Sequence, residues 1–424
     1  MQISQLQQTT HTQYCQLSAK VSFENQQQAH QVYFRVPLAF SHHIRLCFEP
    51  FLFSLLPIAL VKQEQHLHIE GALCPDSLAN ATSILKLFQL WYQHPHLPKI
   101  TAQSYQVQQP TSTKAGLFLS GGVDSMASFC RSVQTYPADH PRRFAHAFFV
   151  YGMDLGDPNK PDARKTYQQT VHALTQFLQP YGCTLVPVTT NVRQLYGHWR
   201  FYADYHFGPL MAGIAHALSA KTSEFTIALD NQIQNYVPRG SHPLLNKYFS
   251  SSFLTSQGLL EAYTRLEKYA FFEGVPDAIG YLRVCHSPPT NSQYTNCGQC
   301  EKCVRTKLEL LVNGYLEQGT NFADQAITVQ HLQQIQLSNI LELEYYQAIE
   351  TALTAQQYDE LAKIIRAKLT KAWRLRFKHK LLQWDQRHLD HRLLKTKNKL
   401  LAWLKPSKKS ETLLESIDNI SGKG

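Results

Sequence analysis

The feature that most constrains the fold is a glycine turn placed directly between an apolar strand and a helix. Leu117-Phe118-Leu119 predicts the strand, Ser120-Gly121-Gly122-Val123-Asp124-Ser125 makes the turn, and Met126-Ala127-Ser128-Phe129 begins the helix. Glycines let the backbone turn sharply and approach a ligand closely, and a helix N-terminus offers free N–H groups to an anion. The pattern therefore predicts a phosphate-binding loop.

Side chains in this turn add to the prediction. The hydroxyls of Ser120 and Ser125 are further donors, and Asp124 could hold a Mg²⁺ ion that neutralises phosphate charge. The alternative is an ordinary Gly-Gly turn in which Asp124 or Ser125 caps the helix. No Gly-Lys-Ser/Thr string of the Walker type and no Gly-x-Gly-x-x-Gly string occurs, which disfavours kinase-like and dinucleotide-binding proteins.

Strand and helix patterns alternate around the turn and predict an α/β fold, a parallel sheet with helices on both faces. The predicted strands are Gly116–Leu119, His146–Tyr151, Thr184–Val188, Phe225–Leu229 and Tyr281–Val284, and the predicted helices are Ser125–Gln134, Ala163–Leu178 and Pro209–Ser219. Three domains are expected: an N-terminal α+β domain over 1–112 for substrate or partner recognition, the α/β domain over 113–312, and a helical region with a basic tail over 313–424. In the first, His30–Val36 and Gln65–Ile69 predict strands and Ser77–His94 a helix.

Other candidate ligand contacts follow the predicted strands, at the edge where open α/β sheets bind ligands. Tyr151, Gly152 and Met153 end the second strand, and the next residue, Asp154, could instead cap a helix. Arg193 follows the third strand as a candidate phosphate or carboxylate contact, with a surface arginine as the alternative. His206 opens a helix and is expected to face the nucleotide.

Four cysteines predict a metal site. Cys297, Cys300 and Cys303 are separated by two residues each, and Cys285 lies just upstream. Four thiolates suit a closed tetrahedral Zn²⁺ site, and Gly298 eases the tight turn. Free buried cysteines, a redox pair and an iron–sulfur cluster are the alternatives.

The turn resembles the PP-loop of the ATP pyrophosphatase superfamily, which includes asparagine, GMP and NAD synthetases and several tRNA-modifying enzymes. The resemblance implies an adenine nucleotide alpha hydrolase-like fold and cleavage of ATP between its α- and β-phosphates. The substrate would take AMP, pyrophosphate would leave, and a nitrogen or sulfur nucleophile would displace AMP. Ser120, Asp124 and Ser125 are then the expected catalytic residues, and Tyr151 to Met153 would lie near the adenine.

Together with the cysteines, the turn is most similar to 7-cyano-7-deazaguanine synthase over about residues 115–311. That family is a zinc-containing ligase that uses ATP and ammonia to convert a carboxylate to an amide and then a nitrile. Cys285, Cys297, Cys300 and Cys303 match its zinc ligands, and Arg305 matches an arginine that follows them. ATP, Mg²⁺ and Zn²⁺ are the expected cofactors, and a small carboxylate or heterocycle is the expected substrate. Because the chain begins Met1-Gln2-Ile3, nitrogen would come from free ammonia, a partner protein or an amine.

The positive charge is concentrated in the C-terminal region. The whole chain carries +10, but 361–410 holds sixteen Lys or Arg against Asp385 and Asp390, a net +14, so the remainder carries about −4. Trp373, Phe377, Leu381 and Trp384 recur there at helical spacing, which fits either packing on the protein or contact with RNA, a membrane surface or an acidic partner. No signal peptide or membrane span is predicted, so the expected location is the cytoplasm. A sulfur transferase acting on a tRNA base and a non-catalytic nucleotide-binding module are the alternative functions.

Overall fold

The computed structural model describes residues 1–159, 163–230, 232, 236–285, 293–338 and 340–372, with positions 377, 381, 384, 385 and 396. The chain divides into two compact units, Met1–Ile335 and Gln336–Gly424. Within the described residues, no helix is both long enough and apolar enough to cross a membrane. The first unit contains both the glycine turn and the four cysteines.

A ten-stranded mixed sheet organises the first unit. Its strands are β1 (Gln2–Thr10), β2 (Tyr14–Ser22), β3 (His30–Pro37), β4 (His66–Leu73), β5 (Lys99–Tyr105), β6 (Ala115–Phe118), β7 (Phe144–Tyr151), β8 (Thr184–Thr190), β9 (Glu224–Ala228) and β10 (Thr255–Leu259). They lie in the order β10-β9-β6-β7-β8-β3-β2-β1-β4-β5. The five strands from β10 to β8 are parallel, and β3 then pairs antiparallel with β8.

Helices of the first unit lie on both sides of the sheet. The described helices of this unit are α1 (Glu49–Val61), α2 (Pro75–Tyr92), α3 (Val123–Thr135), α4 (Arg164–Leu178), α5 (Trp199–Phe201), α6 (Phe207–Ala217), α7 (Pro243–Asn246), α8 (Glu301–Val312) and α9 (Val329–Gln334). The second unit, taken by itself, contains α10 (Ile340–Ala355) and α11 (Asp359–Lys371). Two cores result: α1, α2 and α6 contribute to one, and α3, α4 and α8 contribute to the other. The predicted α/β class is confirmed.

The N-terminal strands continue the sheet instead of forming a separate domain. Phe34 and Arg35 of β3 pair with Thr190 and Thr189 of β8, so no gap separates the two predicted regions. Helix α1 also packs closely on α6, where a Cβ at Gly213 would overlap the hydroxyl of Ser54. The boundary predicted near residue 112 is therefore not a division of the structure, and the boundary predicted at 312 lies before the division at Ile335.

One predicted strand, Tyr281–Val284, is wrong. Residues Pro276–Tyr281 form a 3-10 helix, and the extended residues after it bond to a side chain and a loop instead of a strand. The amides of Val284 and Cys285 donate to Oδ1 of Asn296, and the amide of Arg283 donates to the carbonyl of Gly121. The fifth parallel strand is β10, whose polar sequence Thr-Ser-Gln-Gly-Leu carries no strand signal.

The predicted basic tail lies largely outside the described residues. Trp373 is among the positions not described, as are residues 397–424. Of the predicted apolar stripe, Phe377, Leu381 and Trp384 are described as helical and are exposed. Whether the tail binds RNA, a membrane surface or an acidic partner stays a prediction.

Candidate functional site

The glycine turn forms a closed loop between β6 and α3. Gly121 has φ of 80°, a left-handed conformation that favours glycine. Ser125 Oγ accepts from the Ser120 amide at 3.2 Å and donates to the Gly122 carbonyl at 3.0 Å, while the Gly122 amide donates to Ser120 Oγ at 3.2 Å. Ser125 is buried and Ser120 is exposed. Ser125 therefore shapes the loop, and Ser120 stands where a ligand can reach it.

The first turn of α3 is open toward the loop. Gly122 occupies the N-cap position and has no side-chain oxygen, so the helix carries no side-chain cap. The first N–H groups of a helix lack partners within the helix, and together with the helix dipole they attract an anion. The loop can therefore hold a phosphate or carboxylate against these amides.

The strand order is a second feature that favours a ligand at the loop. The chain runs from β6 to β7 and β8 on one side, then crosses back to β9 and β10 on the other side of β6. The reversal places a crevice between β6 and β9 at the carboxyl ends of the strands, the usual ligand position in open α/β sheets. The loop leaves β6 at this crevice.

Asp124 is held between two cations. Arg265 Nη1 lies 2.7 Å from its Oδ2 and Lys268 Nζ lies 2.8 Å from its Oδ1. Lys268 is fully buried and also donates to the carbonyl of Leu229 at the end of β9. Arg265 Nε lies 2.8 Å from Oε1 of buried Glu309. Both carboxylate oxygens of Asp124 are therefore committed to ion pairs.

This arrangement does not fit the predicted role of Asp124 as a Mg²⁺ ligand. A hard cation needs carboxylate oxygens that face it, whereas here two fixed cations occupy those positions. Burial raises the pKa of Asp124, but the charges of Lys268 and Arg265 outweigh burial and hold its pKa below the usual value of 3.8. Asp124 therefore stays ionised and fixes two cations beside the loop.

More cations come from the cysteine-bearing segments. Arg283 donates its backbone N–H to Gly121 at 2.8 Å, and a Cβ on Gly121 would lie 3.1 Å from Cβ of Arg283. The Nε atom of Arg283 is buried and has no hydrogen-bond partner among the described residues. Burial lowers the pKa of Arg283 and of Lys302, and in both cases the charge of Asp154 opposes the effect. The sequence did not single out Arg265, Lys268, Arg283 or Lys302, because no motif marks them.

The predicted adenine contacts form a tight turn after β7. Gly152 has φ of 110°, and its amide donates to the carbonyl of Leu155 at 2.7 Å. A Cβ on Gly152 would overlap the carbonyl oxygen of Thr190, so the turn packs directly on the end of β8. Tyr151 is half-buried and Met153 is buried. The turn lies at the predicted sheet edge, and a contact with adenine stays a prediction.

Arg193 and His206 are both buried. Arg193 is 1% exposed, donates to the carbonyl of Met153, and lies 3.2 Å from Oδ2 of Asp157. His206 is 0% exposed and its Nε2 donates to the carbonyl of Ser54 at 2.9 Å. These positions do not support direct contact with a nucleotide. Arg193 instead supports the turn that contains Met153, and His206 supports packing against α1.

The four cysteines converge as predicted. All four Sγ atoms lie within 4.8 Å of one another, and the Cys285–Cys300 and Cys297–Cys303 pairs are each 3.8 Å apart. Zinc bound to four thiolates at about 2.3 Å in a tetrahedron holds the sulfurs about 3.8 Å apart. The cluster can therefore bind a metal such as zinc.

Hydrogen bonds within and around the cluster fix the two segments that carry the cysteines. The amide of Cys300 donates to Sγ of Cys297 at 3.3 Å, a common way to stabilise a thiolate. Asn296 is fully buried and bonds both to Cys285 N and to Leu282 O, so it ties the two segments together. Gly298 has φ of 80°, and a Cβ there would overlap the carbonyl oxygen of Asp324. The predicted need for glycine at the turn is confirmed.

The loop and the cysteine cluster are joined by two connections. Arg283, two residues before Cys285, contacts the loop. Helix α8 begins at the cysteines, and its residues Arg305 and Glu309 lie near Asp124 and Arg265 respectively.

The chain was compared with protein-family models, with curated proteins and with solved structures. None of the three comparisons finds a match.

Proposed function

We propose that the protein binds ATP at the Ser120–Ser125 loop and transfers AMP to the oxygen of a carboxylate or amide substrate, for attack by ammonia or an amine. The observation that carries the proposal is the uncapped N-terminus of α3, reached by a glycine loop at the point where the strand order reverses. Amides and cations converge there, which is what a triphosphate needs.

The chemistry needs charge stabilisation more than a side-chain nucleophile. A substrate oxygen attacks the α-phosphorus of ATP, the bond to the bridging oxygen breaks, and pyrophosphate leaves with that electron pair. An amine or ammonia then attacks the activated carbon, AMP leaves, and the nitrogen releases a proton. In such in-line transfers, fixed cations and amides that face the leaving group supply most of the catalysis.

This chain offers three groups for the leaving pyrophosphate. The N–H groups at the start of α3 face the loop, the Ser120 hydroxyl stands at its exposed side, and Arg283 packs against Gly121. Lys268 and Arg265 lie behind Asp124, and the carboxylates of Asp124 and Glu309 balance their two positive charges. Asp124 itself acts as the anchor of these two cations.

We further propose that the metal at the cysteines is a single Zn²⁺ ion. The 3.8 Å sulfur separations suit one tetrahedral ion, whereas a cluster with several iron atoms would hold the four sulfurs farther apart. Four protein ligands close the coordination sphere, so the ion would stabilise structure and would not bind substrate. This favours the ligase over the sulfur transferase, for which a cysteine-bound iron–sulfur cluster is the expected signature.

The test is product identification. Purified protein is incubated with Mg-ATP, ammonium and 7-carboxy-7-deazaguanine, then with other carboxylates, amines, peptides or tRNA in place of the deazaguanine, and the nucleotide products are identified by mass spectrometry. AMP formation that depends on an acceptor supports the proposal. Arg283→Met should lower turnover about tenfold or more, whereas replacing Arg142, an exposed arginine paired with Glu224 at the start of β9, by methionine should not. ADP formed without an acceptor would refute adenylation, and no nucleotide binding at all would refute the proposal.

A further inference from the structure

The cysteine cluster and the nucleotide loop share their supporting segments. Residues 282–285 supply one thiol and, through Arg283, a backbone hydrogen bond of 2.8 Å to the carbonyl of Gly121. The second segment supplies the other three thiols and then runs into α8, whose Glu309 bonds to the Arg265 that holds Asp124. The first segment therefore contacts the loop directly, and the second is linked to it through Arg265.

The first segment is buried in the core, but few hydrogen bonds hold its backbone. Among the described residues, its backbone polar groups bond to Gly121, Ile279, Asn296 and Asn321, and it pairs with no strand. The four thiols are not joined by disulfides. A bound metal would therefore be the strongest connection between Cys285 and the start of α8, because metal–thiolate bonds contribute directly to folding free energy.

Arg283 lies between the cysteine cluster and the glycine loop, so its position can depend on the metal and affect a ligand at the loop. Its Cβ packs on Gly121, and its guanidinium is within electrostatic range of both Cys285 and Asp154. The Nε donor is buried without a partner. A buried guanidinium donor that lacks an acceptor is costly unless a ligand supplies one, and a phosphate oxygen is a suitable acceptor for arginine.

We infer that Arg283 couples the two sites: metal bound by the four cysteines fixes Arg283 against the loop, and Arg283 then binds a phosphate of the nucleotide. The inference rests on the proposed function, because it requires ATP at the loop and a metal at the cysteines. Arg283 is thereby a positioning and binding residue whose geometry depends on the metal. By linkage, the nucleotide must raise metal affinity by the same factor as the metal raises nucleotide affinity.

The reciprocal effect gives a test that does not require a folded metal-free protein. Zinc-loaded protein is titrated to equilibrium with a chromogenic chelator, with and without saturating α,β-methylene-ATP, which resists cleavage at the bond of interest. We expect the nucleotide to lower the apparent zinc dissociation constant by about 5- to 150-fold, the usual range of coupling between sites. Zinc release is the readout, so the result does not depend on turnover.

Two variants locate the coupling. Arg283→Ala keeps all four ligands and should weaken nucleotide binding while reducing the effect of nucleotide on zinc affinity to less than twofold. Arg283→Lys keeps the charge but lacks the buried Nε donor, so it should give an intermediate effect and it covers the case in which the alanine variant folds poorly. Arg142→Ala, at an exposed residue beside the amino end of β9, should behave as the wild type. Circular dichroism checks that each variant is folded.

The outcomes separate this inference from the proposed function. If the nucleotide binds the zinc-loaded protein but leaves its zinc affinity unchanged, the coupling is refuted and the proposed function stands. If nucleotide and zinc are coupled equally in wild type and in Arg283→Ala, the role of Arg283 is refuted. If the zinc-loaded protein binds no nucleotide, the proposed function fails, and the inference fails with it.

Discussion

Replacing Asp124 by asparagine should destabilise the fold by about 3–5 kcal/mol. The substitution keeps the shape of the side chain but removes the charge that two cations share, Lys268 at 2.8 Å and Arg265 at 2.7 Å. Breaking a buried ion pair by removing one partner typically costs this amount, because the other charge is left buried without compensation.

The structure indicates which cation dominates the cost. In Asp124→Asn, Arg265 keeps its ion pair with Glu309 at 2.8 Å. Losing only its second partner should therefore cost about 1 kcal/mol of stability. Lys268 is 0% exposed, and its other hydrogen bond among the described residues is to the neutral carbonyl of Leu229. Most of the cost, about 3 kcal/mol, is therefore expected from Lys268. In the double variant Asp124→Asn, Lys268→Met, the cost should be well below the sum of the two single costs, since neither charge remains unpaired.

The assay is urea unfolding followed by circular dichroism, and Asp76→Asn is the matched control. Asp76 is also an aspartate in the first turn of a helix, α2, but it is exposed. Its replacement should cost only the helix-dipole interaction, about 0.3–1 kcal/mol. An equal cost for Asp124→Asn and Asp76→Asn would refute the argument and return Asp124 to the role of a free carboxylate facing a ligand.

Three further predictions concern the cysteine site, the glycine turn within it and two buried histidines. Protein expressed with zinc should carry one zinc ion per chain by elemental analysis, and Cys297→Ser should lower both the zinc content and the free energy of unfolding; a variant with full metal content would contradict the Cys₄ site. Gly298→Ala should weaken zinc binding and stability more than Gly182→Ala, because both glycines have positive φ but only Gly298 has no room for a Cβ. Burial lowers the pKa of His206 to about 3 and of His216 to about 4, both below the usual 6.5, so the unfolded chain takes up their protons first as the pH falls. Unfolding free energy should therefore decrease from pH 6.5 toward pH 4 by about 1.4 kcal/mol per pH unit for each histidine, and the slope should be shallower in His206→Gln; an unchanged slope would show that His206 is not buried as the neutral form.

Much of the parallel half of the sheet could be predicted from sequence, because its strands are apolar on both faces. β6 to β9 lie within two residues of the predicted boundaries, and so do α3, α4 and α6. The cysteine cluster could be predicted because its spacing of two residues is local. Both signals depend on residues that lie close together in the chain.

The remainder depends on contacts that are distant in sequence. β10 is a polar edge strand without an apolar alternation, and the pairing of β3 with β8 joins residues about 155 positions apart. Arg265 and Lys268 reach Asp124 from more than 140 positions away, so nothing near the glycine turn indicates that its carboxylate is already paired. Arg193 follows a strand and His206 precedes a helix, positions at which many ligand contacts occur. Whether such a side chain is buried depends on residues distant in sequence that pack over it.

The central claim is that the loop holds ATP while AMP is transferred to an acceptor, and pyrophosphate exchange tests it most directly. Protein, unlabelled ATP, Mg²⁺ and an acceptor are incubated with ³²P-labelled pyrophosphate but without an amine, so that the adenylate can only reverse. The account predicts label in ATP that depends on the acceptor and is strongly reduced in Arg283→Met. With an acceptor that yields AMP in the turnover assay, the absence of labelled ATP would contradict a reversible adenylation step at this loop.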